Sequence, residues 1–293
     1  VTVLERPATL PTPALGPAPS RRAGRRRRRA VYVPLVVIAV AFLIPLVWLV
    51  SISLNDDAGL ASGSLLPKTL HWSNYRDAVT LIPFGRYAVT SLLLAGVHAV
   101  LATLSSAMVG FGFARLRARG KGVLFMIVIA TMMVPAIVTL IPTYLIFARI
   151  GLVYTYWPWV LWGLGGSAFL IFLFRQAFSA MPSDLEDAAI IDGCGWMRMF
   201  VSVFLPLAKA PCLAGFILTF TGGWADFISP SLFLSNDQTT LAVGLSAGYT
   251  TPAGTPLYTT LAAGAVLYIL PVLVIFLVLQ RGFVNGFVTS GMK

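Results

Sequence analysis

Apolar residues in this chain come in long runs rather than in short alternating stretches. Six runs, near residues 31–54, 87–113, 122–147, 157–179, 210–234 and 257–280, hold few charges. Each can cross a hydrocarbon core of about 30 Å, which takes about 20 helical residues. Inside lipid every backbone N–H and C=O must be paired within the segment, so the runs are expected to be helices. The pattern predicts an all-α polytopic membrane protein with six transmembrane helices. Pro45, Pro135, Pro142 and Pro271 fall inside the runs and predict kinks, tolerated where neighbouring helices satisfy the freed backbone. Polar stretches lie at 55–86, 180–209 and about 235–256. Residues 1–30, rich in Pro, Ala and Arg, are expected to form a disordered basic cytoplasmic tail, and 31–293 the membrane domain.

Composition supports this class. The chain is 58% hydrophobic and only 11% charged, against roughly 25% charged in a soluble domain. The formal charge of +11 does not point to nucleic acid, because too few charges exist to solvate a broad basic face. It points to topology. With the N-terminus inside, 17 of the 21 Lys and Arg fall in segments 1–30, 114–121, 175–209 and 281–293. Lys68, Arg76, Arg86 and Arg149 remain outside. The positive-inside rule then places both termini in the cytoplasm of a multi-pass protein of the cell (inner) membrane. The arginine run 25–29 reads as an anchor on anionic lipid headgroups. The first apolar run exceeds a signal-peptide core of roughly 7–15 residues, so it is expected to be a retained helix. Two cysteines and two histidines allow neither a disulfide framework nor a zinc site.

The segment 182–211 reads PSDLEDAAIIDGCGWMRMFVSVFLPLAKAP. Ser183 followed by Glu186 predicts a capping box, with Asp184, Glu186 and Asp187 in the first turn, where the helix dipole favours anions. Gly193 after Asp192 predicts a left-handed helix end. Trp196, Met199, Phe200, Val203 and Phe204 then form one apolar stripe, and Pro206 is expected to end that second helix. A helix–turn–amphipathic helix between the fourth and fifth spans suits docking to another protein.

This segment resembles the EAA loop of binding-protein-dependent ABC transporter permeases. Asp187, Ala188, Ala189, Gly193, Val203, Leu205 and Pro206 occupy the motif's spacing, with Asp for Glu and Val for Ile. Further matches resemble the maltose-type, sugar-importing branch. They are Asn74-Tyr75 before the second span, Phe113-Ala114-Arg115-Leu116-Arg117 at its end, Ile141-Pro142-Thr143-Tyr144 in the third, Trp224-Ala225-Asp226-Phe227 in the fifth, and the C-terminal Gly286 to Lys293. The resemblance implies a type I importer permease fold and a transport subunit that is not itself an enzyme. It implies a heterodimer with a second permease, two ATP-binding subunits that use ATP and Mg, and an extracytoplasmic solute-binding protein. The coupling loop would comprise Glu186, Asp187, Ala188, Ala189, Asp192, Gly193, Val203, Leu205 and Pro206. The solute would be a disaccharide, an oligosaccharide or a glycerol-phosphate type.

The residues themselves agree with an energy source elsewhere. No GxxxxGK[ST] phosphate cradle is present, so this chain is expected to bind no cofactor. Gly244-Leu245-Ser246-Ala247-Gly248 matches a nucleophile pattern, but both histidines precede it, whereas that fold needs His after Ser. His98 lies in the second span without acidic neighbours there and is expected to be hydrogen-bonded and structural. Asp226 and Trp224 could meet sugar hydroxyls and a sugar ring on a solute path. Trp157, Trp159 and Trp162 are expected to form an interfacial aromatic belt. An ion-coupled secondary transporter is the alternative; it calls for acidic residues at matching depth, and the spans hold essentially only Asp226.

Overall fold

The structure, a computed structural model, describes residues 21–56, 59–60, 63, 66–251 and 253–290. Among them the fold is all-α, with one isolated antiparallel bridge, Thr250 to Pro256. Residues 1–20 of the expected tail, and residues 291–293 of the C-terminal motif, lie outside the described residues. The chain divides into two units, 1–48 and 49–293. In the first, helix α1 (Arg21–Ser53) begins at Arg21 rather than at residue 31, and it ends inside the second unit.

The second unit continues with α2 (Ser73–Thr80), α3 (Phe84–Arg115), α4 (Lys121–Thr131) and α5 (Ala136–Arg149). Helices α6 (Trp157–Gly165), α7 (Ala168–Ser179) and α8 (Asp184–Ile191) follow. Next come α9 (Trp196–Leu207), α10 (Lys209–Ala225), α11 (Ile228–Phe233), α12 (Leu241–Gly248) and α13 (Tyr258–Ser290). Four stretches are long and apolar enough to cross a membrane, and up to six if each of two bent pairs forms one span.

The bends have causes. Helices α4 and α5 meet at 97° where one run, 122–147, was expected. Pro135 has no N–H to continue the ladder, and the Val134 N–H instead closes a tight turn on the Thr131 carbonyl. Pro142 and Pro271 sit within continuous helices. The run 210–234 is interrupted: α10 stops at Ala225, Asp226 is extended, and α11 restarts at Ile228. At 17 residues, α10 is about 26 Å long by helical rise, close to the hydrocarbon thickness.

The centre of the second unit is α3, which packs against α6, α7 and α10. Small residues let the backbones approach, as in lipid packing generally. A Cβ on Gly110 would lie 2.6 Å from that of Phe174, and one on Gly163 2.8 Å from that of Leu101. Between α6 and α7 the chain breaks at Gly166, whose φ of +70° suits glycine. The freed backbone groups are met from α3: Ser105 Oγ donates to the Gly163 carbonyl (2.9 Å), and Ser106 Oγ accepts from the Ser167 N–H (2.9 Å). This compensation is what a broken helix in lipid requires.

The Asn74-Tyr75 motif closes the end of α1 within the second unit. Asn74 Nδ2 donates to the carbonyls of Ser53 (3.0 Å) and Asn55 (2.8 Å). Tyr75 Oη pairs with Ser53 Oγ at 2.7 Å. Carbonyls that a helix end leaves orphaned thus find donors. The polar stretch 235–256 folds over α2 and α3: at the start of α12 the Leu241 N–H donates to Ser91 Oγ, and just past its end Tyr249 Oη donates to the Ala78 carbonyl.

Candidate functional site: the coupling hairpin and the membrane cavity

Helix α8 starts with Asp184, Glu186 and Asp187 in its first turn, as expected. The capping box is not formed: Ser183 is helical and makes no side-chain cap bond, and its backbone carbonyl receives the Glu186 and Asp187 N–H groups instead. The C-terminus follows the Gly193 reading closely. Gly193 has φ +72°, its N–H donates to the Ile190 carbonyl, and the Cys194 N–H reaches back to that of Ala189. That pair of bonds is a Schellman ending, which requires a residue tolerant of positive φ at this position. Helix α9 runs one residue beyond the expected stop at Pro206, to Leu207. A π-turn over Phe200–Phe204 precedes the proline, and the Leu205 N–H bonds the Phe200 carbonyl. The wider turn accommodates a residue that would clash with the carbonyl four positions back. The chain then turns by 82° into α10.

One face of this hairpin is welded to the spans. Ala189, Met199, Phe200 and Phe204 are buried in one cluster with Phe111 of α3 and Phe174 and Phe178 of α7, and Val203, Leu205 and Cys194 pack against it. Phe111 and Phe204 ring centroids are 5.1 Å apart, and Phe178 and Phe204 6.1 Å. Trp196, expected on the apolar stripe, is exposed.

Arg115 ties the same junction electrostatically. Its side chain is 9% exposed. Nη2 donates to the carbonyls of Phe178 (2.6 Å) and Met181 (2.5 Å), at the C-terminal end of α7, where a cation is favoured. Nη1 lies 3.6 Å from Glu186 Oε2, and the guanidinium sits 4.9 Å from the Phe204 ring centroid. Glu186 therefore pairs within its own chain, not outward as a docking acid. The sequence noted Arg115 as part of a span ending and missed this role. Its only local signal was that it closes an apolar run.

The other face is open. Asp187, Ala188, Ile190, Ile191, Asp192, Gly193, Trp196 and Met197 are exposed, Ile191 to 86%. Apolar side chains flanked by two carboxylates, on a helix pair fixed from behind, form a patch suited to a partner groove.

A cavity of about 630 Å³ lies among α3, α5, α6, α7 and α10. Its polar lining includes Asp226, His98, Thr139, Thr143, Ser167 and Thr219. Asp226 Oδ1 accepts the Ser229 N–H at 3.1 Å, which also starts α11. His98 Nδ1 lies 3.2 Å from the Trp159 carbonyl, in line with its structural reading, yet the ring also borders the cavity. Trp224 is not on this path. It is 2% exposed, stacked between Phe220 (6.0 Å) and Tyr268 (5.3 Å), and its Nε1 donates to the Tyr268 carbonyl. No ring face is left for a sugar. Trp159 and Trp162 are not belt residues either: three positions apart on one helical face, they pack with Phe147 and Phe233, while Trp157 is exposed. Ser246 lies on α12 and donates to the Val243 carbonyl; Gly244 and Gly248 are small because Tyr87 and Ile82 press on them.

Residues 103–287 match the protein family described as binding-protein-dependent transport system inner membrane component. The chain belongs to this family. It is 29% identical to the lactose transport system permease protein LacG of Rhizobium radiobacter over 269 residues, covering 91% of this chain and 97% of that protein. It is 32% identical to the maltose/maltodextrin permease protein MalG of Salmonella typhimurium, covering 88% and 93%. The sn-glycerol-3-phosphate permease protein UgpE of Pectobacterium atrosepticum is also 32% identical, covering 88% and 95%. A solved bacterial ABC transporter involved in import of the acidic polysaccharide alginate shares the fold, with TM-score 0.75 at 22% identity, covering 92% of this chain and all of that one. This chain is thus a multi-pass permease subunit of an ABC importer in the inner membrane. Membership in the family sets the ion-coupled alternative aside.

Proposed function

We propose that this chain carries a sugar or related solute across the membrane by alternating access, driven by ATP hydrolysed in partner subunits. The solute is a disaccharide, an oligosaccharide or a glycerol phosphate, the range that the relatives' names span. The chain pairs with a second permease, docks on one of two ATP-binding subunits and receives solute from an extracytoplasmic binding protein. It binds no ATP or Mg itself and performs no catalysis. Both termini and the hairpin lie in the cytoplasm, which the skewed distribution of Lys and Arg supports.

The two-faced hairpin carries this reading. Ala189, Met199, Phe200 and Phe204 bind it to α3 and α7, while Asp187, Ile190, Ile191 and Asp192 face away. A rigid piece held on one side and open on the other can pass a partner's closure into helix movement. Gly193 sets the angle between its two arms.

The assembled importer in proteoliposomes tests this. Asp187→Lys should abolish ATP-driven uptake while membrane insertion is unchanged. Gly193→Pro should do the same, since proline can adopt neither φ +72° nor the N–H bond to Ile190. Uptake that persists without the ATP-binding subunits, or with both substitutions, would overturn the proposal. Loss of insertion in both variants would assign the hairpin to folding instead.

A further inference from the structure

We infer that the membrane cavity admits uncharged polyhydroxy solutes and turns anions away, with Asp226 as the selecting residue. This rests on the transport reading above and narrows its solute range to neutral sugars. The basis is the balance of donors and acceptors on the cavity wall. Asp226 is the one carboxylate lining it, and no Lys or Arg does so among the described residues. Thr139 and Thr143 stand one helical turn apart on α5, and both hydroxyls already donate: Thr139 Oγ1 to the Ala136 carbonyl (2.9 Å), Thr143 Oγ1 to that of Thr139 (2.7 Å). With the proton so engaged, each oxygen is left to act as an acceptor. His98 faces the Trp159 carbonyl through Nδ1. A carbonyl only accepts, so in the neutral ring Nδ1 holds the proton and Nε2 is an acceptor.

The one formal charge on the wall is therefore negative, and Asp226, the two threonine oxygens and His98 Nε2 can all accept. A sugar brings hydroxyl donors to such a wall and suits it. A phosphate or carboxylate brings ionised acceptors, meets the Asp226 charge, and finds no cation to offset it in a setting where Coulomb energies exceed those in water. The volume of about 630 Å³ lies in the roughly 300–1,000 Å³ range of small-molecule sites.

The test reads the charge of the cavity without needing the solute. In the assembled importer, Cys194 and Cys212 are replaced by alanine and Thr139→Cys provides a thiol, with Thr143→Cys as a second reporter. Trimethylammonium and sulfonate methanethiosulfonates of matched size are applied, and modification is followed by the mass of the labelled peptide. Relative to a small free thiol, the cationic reagent should react about tenfold faster than the anionic one. Asp226→Asn should bring the ratio close to one. Equal rates, a faster anionic reagent, a ratio that ignores Asp226→Asn, or no reaction at either reporter would each overturn the inference. A preserved charge preference alongside failed ATP-dependent uptake would overturn the transport reading alone.

Discussion

The two halves of the broken fourth span, α6 and α7, are built on opposite principles. Around α6 and the Gly166 break, hydroxyls of Ser105 and Ser106 replace lost helical bonds, and the wall beside them opens into a cavity that carries several polar side chains. Around α7, Phe174 and Phe178 are fully buried against Phe111 and Phe204, and Arg115 binds the helix end to the hairpin. A wall that handles a passing solute must exchange contacts, and many weak polar groups allow that. A joint that transmits force must not yield, and interlocked rings with a buried cation resist yielding. On the proposed function, one span would carry both tasks, separated at Gly166.

Arg115→Ala should break the contrast most severely. It removes donors from two carbonyls and leaves Glu186 without its cation. The loss is expected to be roughly 2–4 kcal/mol, since breaking one side of a buried charged network leaves the rest unpaired. Uptake should vanish and the melting temperature of the purified importer should fall. Adding Glu186→Gln should cost little more than Arg115→Ala alone. Additive losses would show that the two side chains act independently.

Ile191→Asp should separate transmission from stability. The residue is 86% exposed and belongs to none of the buried clusters of its own chain. Uptake and solute-stimulated ATP hydrolysis should drop at least tenfold, the scale of losing about 1.4 kcal/mol at an interface hot spot, with melting unchanged. Unchanged uptake would mean that the outward face of the hairpin is not a docking face.

Ser106→Ala probes the other half. Ser106 is fully buried and its oxygen is the acceptor for the Ser167 N–H. Leaving that donor unpaired is expected to cost about 1–2 kcal/mol, read as lower thermal stability with uptake partly retained. If Ser106→Ala abolished uptake as fully as Arg115→Ala, the break would be part of the force path and the division at Gly166 would fail.

The contrast also explains what the sequence disclosed. Long apolar runs revealed the spans because lipid imposes their length, and Gly193 was legible because few residues but glycine accept a left-handed helix end. The Gly166 break was hidden, since its compensating serine lies 61 residues away on another helix. Arg115 was hidden among Arg117 and Arg119, with no local feature marking which one turns inward. Trp224 misled for the same reason. Its stacking on Phe220, one turn earlier, can be read from spacing, but the second stacking partner, Tyr268, comes from a distant helix. Groups paired along one helix are readable; groups paired across helices are not.

The smallest effect is expected at Arg86 and Asp237, which meet at 3.8 Å with side chains 56% and 69% exposed. The Ser235 hydroxyl, first, and then a backbone hydrogen bond and Arg86 hold the Asp237 carboxyl below its ordinary value. A depressed carboxyl contributes stability above its unfolded pKa and loses it as pH falls through the folded one, so whatever the pair contributes is present at pH 7 and is lost only below about pH 4. Full exposure to water and salt screens the pair. Melting curves of Asp237→Asn at pH 7 should superimpose on those of the parent protein, with or without added salt. A clear drop at pH 7 would show that this loop is held by its ion pair, as the hairpin is by Arg115. Strong electrostatic ties would then no longer distinguish the coupling junction from the rest of the molecule.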